Sequence, residues 1–505
     1  MRALRALSSK AKAFASFRHS RHGPFITRPK IPDGLFAANR HSHPDIELSR
    51  LRGFVRTCVD WEWFLLLVIA PLLFFAGPTV IPLLAVVPGL WVCRKLASGR
   101  LIPKTSLNPA ILTLAITLLV SLIFTYERST SAEAAAGLVL SIGVYFAVVH
   151  QSSTPRRWAV ALVAYLTGGT VLAAIAPLGT EWLYKVELFA PITRSLPPRL
   201  YQFMGPEGTF HPNIVAGTLL WILPVMLGVA VQSLTARRIS APRQNYRRET
   251  IGGLLSMVAL LIVMSVFVLL QSRGAYMGFL LSLTAIGAVA AHYWGGMKPA
   301  SILGLLTLGL ALAGVVGFLS FGGVAMMAAG NLLDVPAHFV SALKGYSGIP
   351  TRLELWSRVI MAVKDHPLTG LGIGAFQPAV WRLYPLQTIS REINFVHPHN
   401  HLLSAAVDLG IPGLVAYVWI WVQTVRMLFR TWRTASTNWT KILVLGFSGS
   451  LLAYFIYGMT DAIALGTKPG VVWWYVLGLI AALHNGVTQE KGWEQGLLSG
   501  DPRVA

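Results

Sequence analysis

Three histidines lie within five residues of one another in the stretch VHPHNHLLSAAVDLGIPGL, residues 396–414. They are His397, His399 and His401, and Asn400 stands between the last two. An imidazole exchanges a proton near neutral pH, so a histidine at the end of a membrane span can act as a general base toward a substrate hydroxyl. We therefore expect this cluster to be functional rather than structural.

A metal site is the alternative use of the same stretch. On a continuous helix His397, His401 and Asp408 would share one face, and two imidazoles with a carboxylate can bind zinc. Pro398 disfavours a helix that runs through His397, and no glutamate is placed as in the H-E-x-x-H motif. We therefore predict that the site holds no metal.

Arginines form the second group of candidates. Arg273 stands in QSRGAYMG, residues 271–278, where a short turn separates two apolar runs. An arginine there could simply reach lipid headgroups, but so short a turn favours a place in a cavity. Arg352 and Arg358 open a helix-like stretch farther on. Guanidinium groups bind diphosphate oxygens in pairs, although Arg358 could instead pair with Glu354, four residues earlier.

A third polar stretch, GPEGTFHPNIVAG, leads into another apolar run at residues 205–217. Pro212 and Asn213 fit the turn and cap at the start of a helix. The Asn213 amide could also hydrogen-bond a sugar, and both interpretations remain open.

The elements that must position these residues are transmembrane helices. Hydrophobic residues make up 54% of the 505, charged residues only 12%, and the mean hydropathy is +0.60, whereas soluble proteins carry about a quarter charged residues. We expect an all-α polytopic membrane protein with about twelve transmembrane helices. The apolar runs lie near residues 63–76, 78–93, 108–124, 134–150, 158–176, 213–233, 251–271, 274–293, 299–320, 403–429, 441–460 and 470–485.

The charge pattern predicts the orientation. The net charge of +22 comes from Lys and Arg in short segments between apolar runs, which argues against a nucleic-acid partner. With the amino terminus inside, the inner segments hold 30 of the 42 Lys and Arg residues. We therefore expect a basic, partly disordered cytoplasmic tail at 1–60, a membrane domain at 61–490, a cytoplasmic tail at 491–505, and external loops at 177–212 and 321–402.

Four motifs in this order resemble the O-antigen ligase and polymerase superfamily of bacterial integral-membrane proteins. The ligase motif is a histidine, then Asn, Ser or Gln, nine further residues and Gly-x-x-Gly. Here His399 and Asn400 are followed by nine residues and by Gly410 and Gly413, so the match is complete. The other motifs are Ser-Arg-Gly at 272–274, Gly-Thr-Phe…Pro-Asn-x-x-Ala at 208–216, and Arg-x-x-x-Trp with Pro-x-x-Gly-x-Gly at 352–372.

The resemblance, which covers about residues 200–480, implies metal-independent transfer of a glycan from undecaprenyl diphosphate on the external face of the inner membrane, without a cofactor. The fold would resemble that of the C-type integral-membrane glycosyltransferases. His399 would be the general base on the acceptor hydroxyl, and Arg273 and Arg352 would hold the diphosphate. The sequence shows no external Ser–His or Cys–His pair, which favours direct, inverting displacement. The further residues expected to bind substrate are Asn213, Arg358, His397, Asn400 and His401.

The acceptor remains open at this point. O-antigen ligation to lipid A–core is the first hypothesis, and a polymerase of O-antigen or exopolysaccharide repeat units is its nearest rival. A transporter or flippase of the lipid-linked glycan is the alternative from another class. A transporter would need charged or broken helices near the middle of the bilayer, whereas these candidates stand at span ends.

Overall fold

Helices make up nearly all of the chain that the computed structural model describes. The described residues are 53–66 in part, 78–180, 182, 189–196, 210–239, 246–320, 349–387, 389, 391, 395–489 and 492–499. No strand occurs among them, although an isolated bridge joins Thr180 to Phe210. A 3-10 helix (Pro78–Ala85) is followed by α1 (Val86–Ser98), α2 (Asn108–Ile123), α3 (Arg128–Gln151), α4 (Pro155–Gly179), α5 (Ala190–Arg194), α6 (Pro212–Ile239), α7 (Tyr246–Leu269), α8 (Arg273–Gly295), α9 (Pro299–Ser320), α10 (Ile349–Asp365), α11 (Phe376–Leu383), α12 (His401–Thr434), α13 (Asn438–Gly458), α14 (Gly470–Gln489) and α15 (Trp493–Ser499).

Several of the expected regions lie outside the described residues. They include most of the tail at 1–60, most of the first expected span at 63–76, and residues 500–505. Much of the loop at 177–212 and residues 321–348 of the longer loop lie outside as well.

Eight helices of the described chain are long and apolar enough to cross a membrane, namely α3, α4, α6, α7, α8, α12, α13 and α14. Two shorter apolar segments, α2 and residues Pro299–Leu312 of α9, coincide with further expected spans. The prediction of an all-α, multi-pass membrane protein is confirmed, and the count of about twelve remains a prediction. The run at 78–93 forms the 3-10 helix and most of the 13-residue α1, because its prolines lack the backbone N–H that a continuous α-helix needs.

Glycines let the central helices come close together. A Cβ on Gly278 of α8 would lie 2.3 Å from the backbone oxygen of Ala453 on α13. A Cβ on Gly446 of α13 would lie 2.9 Å from the Cα of Val225 on α6. Membrane helices associate largely through such close packing, because lipid supplies no hydrophobic driving force between them. Helix α13 therefore packs against both α6 and α8.

A second apolar core occupies the described part of the loop at 321–402. It is formed by α10, α11 and the segments that follow each of them, and it includes Val407 of α12. Its other buried members are Leu355, Val359, Ala362, Leu371, Phe376, Ala379, Val380, Tyr384, Leu386, Ile389 and Phe395. This part of the loop is thus a folded unit that can hold functional side chains in fixed positions.

A break in α12 at Gly410 receives the loop that follows α10. Gly410 has a φ of +71°, and a Cβ there would lie 2.6 Å from the backbone of that loop. The carbonyl of Val407 accepts the N–H of Leu371 at 2.7 Å. The N–H of Ile411 donates to the carbonyl of Pro367, also at 2.7 Å. The Gly-x-x-Gly and Pro-x-x-Gly-x-Gly sequences therefore join α10 to α12, and this is a structural role.

Candidate active site

The side chains of His399 and Asp461 meet where two helices end. His399 stands just before the Asn400 cap of α12, and Asp461 follows the end of α13. The Nδ1 of His399 lies 3.0 Å from Oδ1 of Asp461, and the same oxygen accepts the backbone N–H of Ala462 at 2.9 Å. The contact joins residues that are 62 positions apart in the chain.

The Asp461 carboxylate is ionised at neutral pH. Burial by itself would raise its pKa, but the interactions with His399, including its hydrogen bond, and those with His397 and Arg352 lower the pKa below its usual range. An ionised carboxylate only accepts hydrogen bonds, so the hydrogen of a neutral His399 ring sits on Nδ1. The lone pair is then on Nε2, as a general base requires.

His397 contacts the backbone of His399, two residues later in the chain. Its Nδ1 accepts the backbone N–H of His399 at 3.1 Å, and the two rings meet edge to face with centroids 4.8 Å apart. His399 has a φ of +54°, a conformation that costs a non-glycine residue about 1–3 kcal/mol and is common at functional sites. Burial and the neighbouring His399 lower the pKa of His397 to about 3 against the opposing charge of Asp461, so the His397 ring is neutral.

A metal ion would be another use of these side chains, since ligand atoms of His397, His399 and Asp461 lie within 4.8 Å of one another. The hydrogen bonds favour a different use. Because Nδ1 of His397 accepts a hydrogen bond, the neutral ring carries its hydrogen on Nε2, which faces Asp461 at 3.8 Å. A metal bound to His397 at this nitrogen would need a lone pair there in place of the N–H that faces the carboxylate. The donor set therefore fits a proton-transfer network better than a metal site.

The metal set considered from the sequence combined His397 with His401 and Asp408. The described part of the chain does not bring these three together. Asp408 lies before the α12 break, and Ile411 lies after it. The Asp408 carboxylate accepts the backbone N–H of Gly374, and the Asp408 carbonyl accepts the hydroxyl of Ser121 at 2.8 Å. Asp408 thus helps to hold the docked loop.

Arg273 is the first residue of α8. The next residue, Gly274, lies against Thr460, so that a Cβ on Gly274 would be 2.6 Å from the Thr460 Oγ1. Thr460 directly precedes Asp461 in the chain. The close contact therefore brings the start of α8, with the half-buried Arg273, beside the His399–Asp461 pair.

Arg352 reaches the same place from α10. One turn later, the indole N–H of Trp356 donates to the carbonyl of Pro398 at 2.8 Å, which fixes α10 against the histidine turn. Arg352 lies within electrostatic range of Arg273 and Asp461. Two guanidinium groups in one half-buried place can bind the oxygens of one anion together. The structure thus brings together the three residues that the sequence singled out as catalytic.

The start of α6 borders the same site. His211 is close enough to His397 to affect its pKa. The hydroxyl of Tyr457 donates to the backbone carbonyl of Asn213 at 2.8 Å. The side-chain oxygen of Asn213 is buried and has no hydrogen-bond partner among the described groups. A buried acceptor without a partner is unfavourable, and sugar binding by Asn213 remains a prediction.

Asn400 has a structural role in this arrangement. Its side-chain oxygen accepts the backbone N–H groups of Leu402 and Leu403, each at 3.0 Å, which is the N-cap of α12. Its amide nitrogen donates to the carbonyl of Met459 at 3.3 Å, next to the end of α13. Asn400 therefore fixes the direction of the turn that carries His399, and substrate binding by this residue remains a prediction.

His401 and Arg358 contact other groups than the His399–Asp461 pair. His401 is buried, with Nδ1 2.9 Å from the hydroxyl oxygen of Tyr417, and further aromatic rings surround it, namely Trp421, Tyr454 and Phe455. Arg358 donates to the sulfur of Met361 at 3.7 Å, and no ion pair joins it to Glu354 in the described chain. Substrate binding by His401 and Arg358 remains a prediction without geometric support.

Residues 255–418 match the model of a protein family described as O-antigen ligase. The matched segment includes Arg273, Arg352 and His399, and it ends within α12. Asn213 precedes the segment and Asp461 follows it. No curated protein matches the sequence.

Proposed function

We propose that this chain, which belongs to the O-antigen ligase and polymerase superfamily through residues 255–418, transfers a polysaccharide from undecaprenyl diphosphate to an acceptor hydroxyl. The observation that supports this most is the His399–Asp461 pair beside Arg273 and Arg352. The histidine can remove a proton from an acceptor, and the two guanidinium groups can balance the charge of a diphosphate. Both functions are needed in one place to move a glycan from a lipid diphosphate.

The proposed reaction is a single displacement. The acceptor oxygen attacks the anomeric carbon while Nε2 of His399 takes the hydroxyl proton. The bond between the anomeric carbon and the diphosphate oxygen breaks, and its electron pair leaves with the lipid diphosphate. Attack from the face opposite to the leaving group inverts the anomeric configuration.

Each polar group has one task in this reaction. Asp461 orients the His399 ring and stabilises the imidazolium that forms. Arg273 and Arg352 stabilise the negative charge that develops on the leaving diphosphate. Because the arginines supply the positive charge, the proposed mechanism needs no divalent metal.

We infer that lipid A–core is the acceptor, because the full ligase motif runs from His399 to Gly413 and the matched family is described as O-antigen ligase. The same pair of residues would equally serve a polymerase, in which the acceptor is the growing glycan. We place the site on the periplasmic side of the inner membrane with both termini in the cytoplasm, since 30 of the 42 Lys and Arg residues then lie inside.

A transporter of the lipid-linked glycan is the competing function from another class. Transport sites lie near the middle of the bilayer on broken helices. Arg273, His399 and Asp461 instead stand at helix ends, where an acceptor can approach from water. This placement favours an enzyme.

Lipopolysaccharide from a strain without this gene would separate the candidates on a gel. Loss of all long-chain glycan from lipid A, with the lipid-linked polymer still made and still exported, supports the ligase. Core that carries a single repeat unit would indicate the polymerase. Accumulation of the lipid-linked glycan on the cytoplasmic side would indicate the transporter and contradict the proposal.

A further inference from the structure

His397 is almost fully buried, with 7% of its surface exposed, and both of its ring nitrogens face other parts of the site. Its Nδ1 accepts the backbone N–H of His399 at 3.1 Å. Its Nε2 lies 3.8 Å from the Asp461 oxygen that also receives the His399 ring. The three side chains therefore form a closed set of contacts around the turn at residues 397–399.

This turn requires support because His399 has a φ of +54°, in the left-handed region that side-chain-bearing residues rarely adopt. The direction of the His399 side chain depends on that backbone conformation. The accepted N–H fixes the orientation of the peptide group between Pro398 and His399. Nδ1 of His397 can thus determine, through the backbone of His399, whether the His399 ring contacts Asp461.

We propose that His397 is a positioning residue for His399. Its Nδ1 holds the left-handed turn, and the N–H at its Nε2 lies beside the carboxylate that pairs with His399. The inference rests on the proposed function, because it assigns His397 to the orientation of the general base. It replaces direct substrate binding by His397, since burial and these two contacts leave the ring no nitrogen directed at a substrate.

Substitution of His397 by asparagine or by glutamine tests the roles of its two ring nitrogens separately. The side-chain oxygen of asparagine is as many bonds from Cβ as Nδ1 of histidine, so His397→Asn keeps an acceptor for the His399 N–H. Glutamine carries its amide one bond farther out, near the place of Nε2, so His397→Gln removes that acceptor. His397→Ala removes both contacts.

The test is glycan transfer by purified protein with lipid-linked donor, with kcat and KM measured for wild type and the three His397 variants. A misplaced base slows the chemical step by up to about 100-fold. We expect His397→Ala and His397→Gln to lose kcat to about this extent, with KM for the donor changed by less than about twofold. His397→Asn should retain most of the wild-type kcat.

Equal protein level and equal thermal melting of the variants serve as the control for folding. If the His397→Ala protein cannot be purified, the comparison of His397→Asn with His397→Gln tests the inference by itself. Wild-type kcat in His397→Gln, or equal losses in Asn and Gln, would overturn the inference. A raised KM at unchanged kcat would overturn it too, because it would indicate substrate binding. His399→Ala, measured in parallel, tests the proposed function separately. Wild-type turnover of that variant would contradict the role of His399 as the general base.

Discussion

A lysine in place of Arg273 would keep the positive charge of the site but lose the planar pair of donors that binds two diphosphate oxygens at once. If Arg273 stabilises the leaving group, Arg273→Ala should lose about 3–4 kcal/mol of transition-state stabilisation, as other removed oxyanion donors do. Arg273→Lys should keep part of the turnover. Glycan transfer by the two variants, at matched membrane levels, measures both effects.

The opposite pattern has a clear meaning. If Arg273 only reaches lipid headgroups, lysine should replace it fully and alanine should be nearly harmless. Arg358→Ala is a suitable control on α10, because the guanidinium of Arg358 contacts the sulfur of Met361. A loss as large in Arg358→Ala as in Arg273→Ala would contradict the assignment of roles.

At the residue scale, the sequence can single out candidate residues where their chemistry is local. His399, Arg273 and Arg352 stand in short motifs at span ends, and the structure brings them together. Asp461 was missed as the partner of His399 because the two are 62 positions apart. The available signal was a carboxylate directly after an apolar run, which becomes meaningful only when α13 ends beside the start of α12.

Other residues have a spacing that also suits a structural role. Asn400 belongs to the ligase motif, but its oxygen caps α12. His401 stands in the histidine cluster, but the first turn of α12 directs it into an aromatic pocket of the bundle. Pattern alone could not separate these roles, since both depend on where the helix begins.

At the scale of helices, the contact between α8 and α13 determines where Arg273 lies. A Cβ on Gly278 would be 2.3 Å from a backbone oxygen of α13, whereas a Cβ on Gly287 of the same helix meets nothing within 4 Å. Gly278→Ala should therefore destabilise the protein by about 1–3 kcal/mol and lower transfer. Gly287→Ala should leave both nearly unchanged. Thermal melting and transfer of the two purified variants check this.

The two glycine variants share one helix and one type of change, so helix propensity cancels between them. Equal stability of Gly278→Ala and Gly287→Ala would contradict the close packing of α8 on α13.

The apolar runs of the sequence predict the helix boundaries, but they do not predict the break in α12 at Gly410. The break depends on a loop from elsewhere in the chain that binds the freed backbone groups.

At the scale of the whole molecule, the distribution of Lys and Arg predicts the orientation in the membrane. Alkaline phosphatase fused after Ser390, in the long loop, should be active because the enzyme folds only outside the cytoplasm. The same fusion after Arg247, near the start of α7, should be inactive. The reverse pattern would place the His399–Asp461 pair on the cytoplasmic side and contradict the proposed periplasmic site.

The all-helical, multi-pass architecture could be predicted from composition and apolar runs, because lipid-facing helices must be apolar along their whole length. The folded unit formed by α10 and α11 could not be predicted from the sequence. Its core residues are spread over a polar loop and meet only through tertiary contacts. The exact path of the loop over α12 likewise depends on Gly410 and Asp408 together.

Transfer of lipid-linked glycan by purified His399→Ala protein, with EDTA present throughout, tests the central claim most directly. Wild type should keep its activity under chelation, because arginines supply the positive charge. His399→Ala should lose about 10²–10⁴-fold in turnover, the usual contribution of a positioned general base, at unchanged thermal melting. Undiminished turnover in His399→Ala, or loss of wild-type activity in EDTA with rescue by one divalent metal, would contradict the account.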